Sequence, residues 1–107
     1  MIRKTSYSLL IVLIIFMVLG CKLTPPDSEY SVLYYGNGND YGYPPTDNNK
    51  YTPGMTATIL GINTLGKEDH TFQEWNTASD SSGIAYQPGE TIEIKHSTVF
   101  LYAIWSQ

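Results

Sequence analysis

The chain has 107 residues, ten acidic side chains against six basic ones, and a single cysteine. That length suits one small domain, and a lone thiol leaves no intramolecular disulfide and no thiolate metal cluster. The acidic balance disfavours nucleic acid and anionic lipid headgroups as partners.

The first predicted element is a targeting segment. Arg3 and Lys4 precede a polar stretch, Thr5 to Ser8, and an uninterrupted apolar run, Leu9 to Leu19, that ends at Gly20 and Cys21. A helix needs roughly 20 apolar residues to cross a hydrocarbon core of about 30 Å, so this run is too short to span and reads as the core of a secretory signal, 1–20. Val18-Leu19-Gly20-Cys21 resembles a bacterial lipobox. The resemblance implies cleavage before Cys21 and acylation of its thiol, palmitate being one such group, so that the chain's first partner is a membrane held through N-terminal lipid. Each buried CH₂ contributes about 0.8 kcal/mol, and two or more acyl chains anchor stably. Lys22 follows the cysteine where an aspartate is associated, in some two-membrane bacteria, with retention at the inner membrane. The expected location is therefore the outer membrane or cell surface.

Removing 1–20 leaves 107 − 20 = 87 residues, with four lysines (Lys22, Lys50, Lys67 and Lys95) against all ten acids, a balance of 4 − 10 = −6. Residues 21–29 continue from the cysteine through KLTPPDSE, whose Pro25-Pro26 pair predicts an extended, semi-rigid tether. The domain is expected over 30–107.

From Tyr30 onward short apolar runs alternate with Gly, Pro, Asn and Asp clusters, which predicts strands and turns. In Tyr30 to Tyr35, Tyr30, Val32 and Tyr34 fall on one face and Leu33 and Tyr35 on the other. In Thr98 to Trp105, Val99, Leu101, Ala103 and Trp105 oppose Phe100, Tyr102 and Ile104. Strands with two apolar faces belong where both sides are covered, so these first and last strands are expected to be central and adjacent. Thr56 to Leu60 and Glu90 to Lys95 alternate cleanly and are expected as outer strands. In Thr71 to Asn76, Phe72 and Trp75 stand three apart, which a regular strand cannot place on one face; a bulge or a strand end is implied. Gly36 to Lys50 and Asp80 to Gly83 read as turns, and only Ile62 to Asp69 has room for a helical turn. The predicted fold class is mainly β, small α+β at most.

With the strands placed, the chain resembles the Listeria-Bacteroides repeat, a module related to the B repeat of internalins. The residues that carry the resemblance are Tyr30-Ser31-Val32 with the Gly36-Asn37-Gly38 turn, Thr71-Phe72-Gln73-Glu74-Trp75-Asn76-Thr77, Gly83 with Tyr86 and Gly89, and Leu101-Tyr102-Ala103-Ile104-Trp105. The resemblance implies a single compact β-grasp-like sheet. This chain departs from the family pattern at His70, where Tyr is usual, and at Glu74, where Gly is usual. A glycine at the second position would permit a positive φ at the bulge; a glutamate implies ordinary backbone or mild strain.

No catalytic residues are assigned, because neither a nucleophile elbow, a phosphate loop nor a carboxylate pair is visible, and no enzyme activity is expected. His70 and His96 lack partners at ligand spacing, and Asn37 to Asp40 lacks the acidic alternation and terminal glutamate of a calcium loop, so neither metal nor cofactor is expected. Phe72, Trp75, Tyr86, Tyr102 and Trp105 read as packing residues. Tyr34, Tyr35, Tyr41 and Tyr43 are the candidates for an exposed stacking surface, and Tyr41 and Tyr43, in a polar Pro-rich loop, are the candidate binding residues. The function expected from the sequence is a surface-anchored lipoprotein carrying one non-catalytic, adhesion-type interaction module for an unknown surface protein or glycan. The alternatives are a carbohydrate-binding lipoprotein that uses the loop tyrosines, and a structural envelope lipoprotein without ligand.

Overall fold

Val32 and Tyr34 alternate with Leu33 and Tyr35, and in strand β1 (Val32–Tyr35) the first pair is buried and the second exposed. The same two-residue period runs through β6 (Val99–Trp105), where Leu101 and Ala103 are fully buried and Phe100 points to solvent. These strands belong to a computed structural model that describes residues 28–107. Cys21 and the segment 1–20 lie outside the described residues. Between the two strands come β2 (Thr56–Thr58), β3 (Phe72–Asn76), β4 (Ala85–Tyr86) and β5 (Thr91–Glu93), and no helix occurs among the described residues.

Four strands make a mixed sheet in the order β1-β6-β3-β4, with β6 parallel to β1 and antiparallel to β3. The domain is mainly β, and its first and last strands are neighbours with Val32 opposite Val99. β6 is central, as its two apolar faces predict. β1 corrects the expectation of two central strands: it lies at the edge of the sheet, and Leu33 and Tyr35 are covered by nothing but their own neighbours. Its second apolar face is a set of aromatic and aliphatic side chains packed along an open sheet surface, a pattern that alternation alone does not separate from burial. The two alternating strands β2 and β5 do not flank this sheet; they pair with each other in a separate antiparallel ribbon, Ala57 opposite Ile92.

The core joins both sheets. Val32, Tyr34, Trp75, Leu101 and Ala103 come from the four-stranded sheet, Ala57, Ile59 and Ile94 from the ribbon and its extensions, and Tyr51 and Leu65 from loops. Fully burying one large apolar side chain contributes about 1.5–3 kcal/mol. A polar clamp sits inside it. The Leu60 amide donates to Tyr34 Oη at 3.0 Å, and Trp75 Nε1 donates to the Leu60 carbonyl at 2.9 Å, while the Tyr34 and Trp75 rings meet edge to face at 4.8 Å. One residue after β2 thus has both its backbone N–H and its C=O satisfied by side chains of the larger sheet.

The bulge expected from the Phe72 and Trp75 spacing is present as a register shift between Phe72 and Glu74 against β6. It brings the Phe72 and Trp75 rings to 5.2 Å, a contact that a regular strand forbids. Glu74 is not among the residues with positive φ, so its backbone is ordinary, and its carboxylate accepts from Asn76 Nδ2 at 2.9 Å. The room for a helical turn over 62–69 is filled instead by two tight turns. Leu65 donates to the Ile62 carbonyl and His70 to the Lys67 carbonyl, and Asn63 and Asp69 take the positive φ that each turn needs. The turn expected at 80–83 begins earlier, with Ser81 donating to the Ala78 carbonyl and Asp80 Oδ1 accepting from the Ser82 amide. This connection folds over Asn76, whose buried side-chain oxygen accepts from the Ala78 and Gly83 amides.

Candidate functional site

The loop 36–50 carries the two tyrosines singled out by their polar, Pro-rich surroundings. Tyr41 is 61% exposed and Tyr43 is 78% exposed. Their exposure does not come with a free backbone. The Asp40 amide donates to the Gly66 carbonyl, Gly66 returns a hydrogen bond to the Tyr41 carbonyl, and Tyr41 and Gly66 form an isolated antiparallel bridge. Further along, the Tyr43 amide donates to Thr64 Oγ1 at 2.9 Å and Asn63 Nδ2 donates to the Tyr43 carbonyl at 3.1 Å.

Two glycines make this attachment possible. A Cβ added at Gly66 would lie about 2.1 Å from Tyr41 Cε1, so the tyrosine ring rests directly on the glycine backbone. A Cβ at Gly42, whose φ is +78°, would overlap the Thr64 carbonyl. Asn39 Nδ2 then closes the loop from within by donating to the Tyr41 and Gly42 carbonyls, both at 3.2 Å. At the loop's start Asn37 Nδ2 bridges the Ser79 and Ala103 carbonyls, each at 2.9 Å, which ties it to β6 and to the connection after β3.

The far half of the loop is held by a carboxylate. Asp47 Oδ2 accepts from the Tyr51 hydroxyl at 2.7 Å, and Asp47 Oδ1 accepts from the Asn49 amide and side chain at 2.9 Å. Burial, reinforced by the hydrogen bond to Asp47, pushes the Tyr51 phenol above its ordinary range. Burial likewise raises Tyr34, with the Asp47 charge adding to the effect. At 6% exposure Tyr34 is a core residue and leaves the set of candidate stacking residues.

Tyr35 stays in that set. It is 40% exposed and stacks on Tyr102 at 5.2 Å and on Phe100 at 6.3 Å, with Leu33 beside it on the same open face of β1 and β6. Sequence reasoning placed Tyr102 among the packing residues and did not single out Phe100, because alternation in β6 gives both faces an apolar pattern. The structure thus separates two exposed aromatic groups, Tyr41 and Tyr43 on the loop, and Tyr35 and Phe100 on the sheet with the half-buried Tyr102 beside Tyr35. Among the described residues no three His, Cys, Asp or Glu side chains converge as a metal site. His96 is exposed, and His70 Nδ1 lies 2.7 Å from the Glu68 carbonyl.

Residues 30–104 match the Listeria-Bacteroides repeat domain, from the bridge at Tyr30 to the penultimate residue of β6. The chain belongs to this family. The match begins beyond Cys21 and bears on the folded part alone. Two similar proteins are from Evansella cellulosilytica. One, named "Putative membrane protein", is 35% identical over 79 residues, and the other, "Putative Gly-rich membrane protein", is 37% identical over 86 residues. The alignments cover 74% and 73% of this chain but 12% and 9% of those proteins, so the repeat domain corresponds to about a tenth of each relative. No solved structure matches the chain significantly.

Proposed function

We propose that the chain is a lipoprotein, anchored through Cys21, that displays one non-catalytic interaction module at the outer membrane or cell surface. The observation that carries the module reading is the pairing of high exposure with a fixed backbone at Tyr41 and Tyr43. Two tyrosine rings held out on a pre-organised loop present contact area at little cost in conformational entropy. Membership of a repeat family whose relatives here are named membrane proteins supports a place at the membrane. The −6 balance of residues 21–107 adds a partner class, since it favours neutral or basic surfaces over phosphate-rich ones.

The test compares wild type with the Tyr41→Ala, Tyr43→Ala double variant in a pull-down of surface proteins and on a glycan array. Protein partners that the double variant loses support the interaction module. Sugar hits lost in the same way replace it with the carbohydrate-binding reading, which the same exposed rings also favour. Identical capture by both proteins removes the loop from the function.

A further inference from the structure

Three exposed apolar side chains gather at the end of the sheet where β1 and β6 begin. Ile84 is 62% exposed and Phe100 45%, and Leu33 lies opposite Phe100 in the ladder between β1 and β6. The strand register explains why they meet. β3 ends at Asn76, which pairs with Tyr102, so Val99 to Leu101 stand beyond its end and leave a notch on that side of β6. The notch is a groove of about 300 Å³ lined by Ile84, Tyr86, Ile92, Val99 and Phe100. A second groove, of about 460 Å³, continues from Ile84 and Val99 along the ribbon to Glu93 and Lys95.

The chain enters the domain at this same end. The Ser31 amide donates to Thr98 Oγ1 at 3.1 Å and the Ser31 carbonyl accepts from the Val99 amide at 2.9 Å, so the residues before β1 arrive beside the groove wall. Cys21 and Ser28 are 28 − 21 = 7 residues apart, which limits their separation to about 25 Å. An anchor at Cys21 thus keeps a bilayer close to Ile84 and Phe100. The loop of Tyr41 and Tyr43 starts at the opposite end, where Trp105 Nε1 donates to the Gly36 carbonyl at 2.9 Å. Leu33, Ile84 and Phe100 together expose on the order of 300 Å², far below the roughly 800 Å² that each side of a standard stable complex covers. A partner arriving from solution would not be held by so small a patch. A surface tethered to the same chain is held, because the tether makes the contact intramolecular and raises the local concentration.

We propose that this end of the domain rests on the membrane that anchors the chain, with Leu33, Ile84 and Phe100 dipping into the headgroup layer of a bilayer of neutral lipids. Apolar side chains leave water at that depth while their polar neighbours stay wet, and an aromatic ring suits the boundary. The hydroxyls of Thr77, Ser97 and Thr98 around the groove meet the headgroups. Local charge selects the kind of lipid. Glu93 and Lys95 on the groove wall are opposite in sign, and so are Glu29 and Lys50, the latter with its Nζ 3.0 Å from Ser31 Oγ. With no net charge, this end fits neutral headgroups better than strongly anionic ones. β1 and β6 then run away from the bilayer, and Tyr41 and Tyr43 sit at the outward end. The inference rests on the anchor at Cys21 and adds to it the orientation of the domain.

The experiment uses the acylated protein purified from membranes and reconstituted in phosphatidylcholine nanodiscs, with NMR line broadening by a spin-labelled lipid headgroup as the readout. The amides of Leu33, Ile84 and Phe100 should broaden several-fold more than those of Tyr41 and Tyr43. Ile84→Ser combined with Phe100→Thr, at exposed positions where substitutions cost little stability, should erase most of that contrast as the domain swings free on its tether. Retained chemical-shift dispersion shows that the double variant is folded. Equal broadening at both ends, or broadening centred on Tyr41 and Tyr43, overturns the orientation. Ile84 and Phe100 that stay sharp in the wild type yet exchange slowly with solvent are covered by the tether or by a second copy, and this overturns the choice of occupant. A mass measurement that finds no acyl group on Cys21 overturns the anchor and the tethered contact together, whereas an acylated protein without contrast overturns the contact alone.

Discussion

The clamp on Leu60 gives the most direct test of how the two sheets are held together. Tyr34→Phe keeps the ring and its edge contact with Trp75 but removes the acceptor for the Leu60 amide. Trp75→Phe keeps an aromatic ring and leaves the Leu60 carbonyl without its donor. Each change strands one partly buried backbone group, at a cost of about 1–3 kcal/mol, and Trp75→Phe adds a smaller loss for the volume removed from a fully buried site. Residues 28–107 amount to 80, for which native stability on the order of 0.05–0.15 kcal/mol per residue gives about 4–12 kcal/mol. Either variant therefore lowers stability by a sizeable fraction, or by several degrees in midpoint. Because both side chains act on one residue and their rings touch, the double variant should depart measurably from the sum of the two. Urea unfolding followed by tryptophan and tyrosine fluorescence measures all three. Two single variants within about 0.5 kcal/mol of wild type would show that Leu60 is satisfied by solvent and that the clamp is incidental.

Alkaline pH should unfold the domain through Tyr34 and Tyr51. Both phenols are raised in the folded state, so their contribution is fully present below the ordinary value of about 10 and is lost as pH rises through the higher folded values. The stability slope above that point, measured by denaturant titration, should flatten in Tyr51→Phe; an unchanged slope rejects the assignment. Gly42→Ala forces a side chain into the Thr64 carbonyl at a positive φ and should lower stability by more than about 1 kcal/mol, whereas Gly54→Ala, with the same sign of φ and open space, should cost less. Thermal midpoints of the two variants decide between a pinned loop and a loose one. Metabolic labelling with an alkyne fatty acid should mark wild type and not Cys21→Ser, and label on the variant removes the anchor.

Much of the fold was legible because period-two alternation survives in β1, β2, β5 and β6, and because Phe72 and Trp75 break it in a way that only a bulge resolves. The pairing of the first and last strands followed from their shared apolar character. The edge position of β1 did not, since Leu33 and Tyr35 look the same in sequence whether covered by another layer or by each other and Phe100. β4 escaped notice because two residues carry no period. For the site, the exposure of Tyr41 and Tyr43 was readable from their polar neighbours, but their fixed backbone depends on Gly66, twenty-odd residues away, accepting a ring that any side chain would exclude. Tyr34 sat in the same tyrosine-rich stretch and turned inward because alternation placed it beside Val32.

The parallel pairing of β1 with β6 also sets how the domain carries load. The chain enters at the start of β1 and leaves at the end of β6, so that these points stand at opposite ends of the sheet, on the order of 20 Å apart for a seven-residue strand. A pull between the two ends of the domain runs along the two strands in opposing directions. It strains the β1 and β6 hydrogen bonds together in shear rather than opening them one after another. Resistance to such a pull is governed by the rate of unfolding, not by equilibrium stability, and here that rate depends on the pairing of Val32 to Tyr35 with Val99 to Tyr102. The two strands that open and close the domain therefore share any tension applied between its ends.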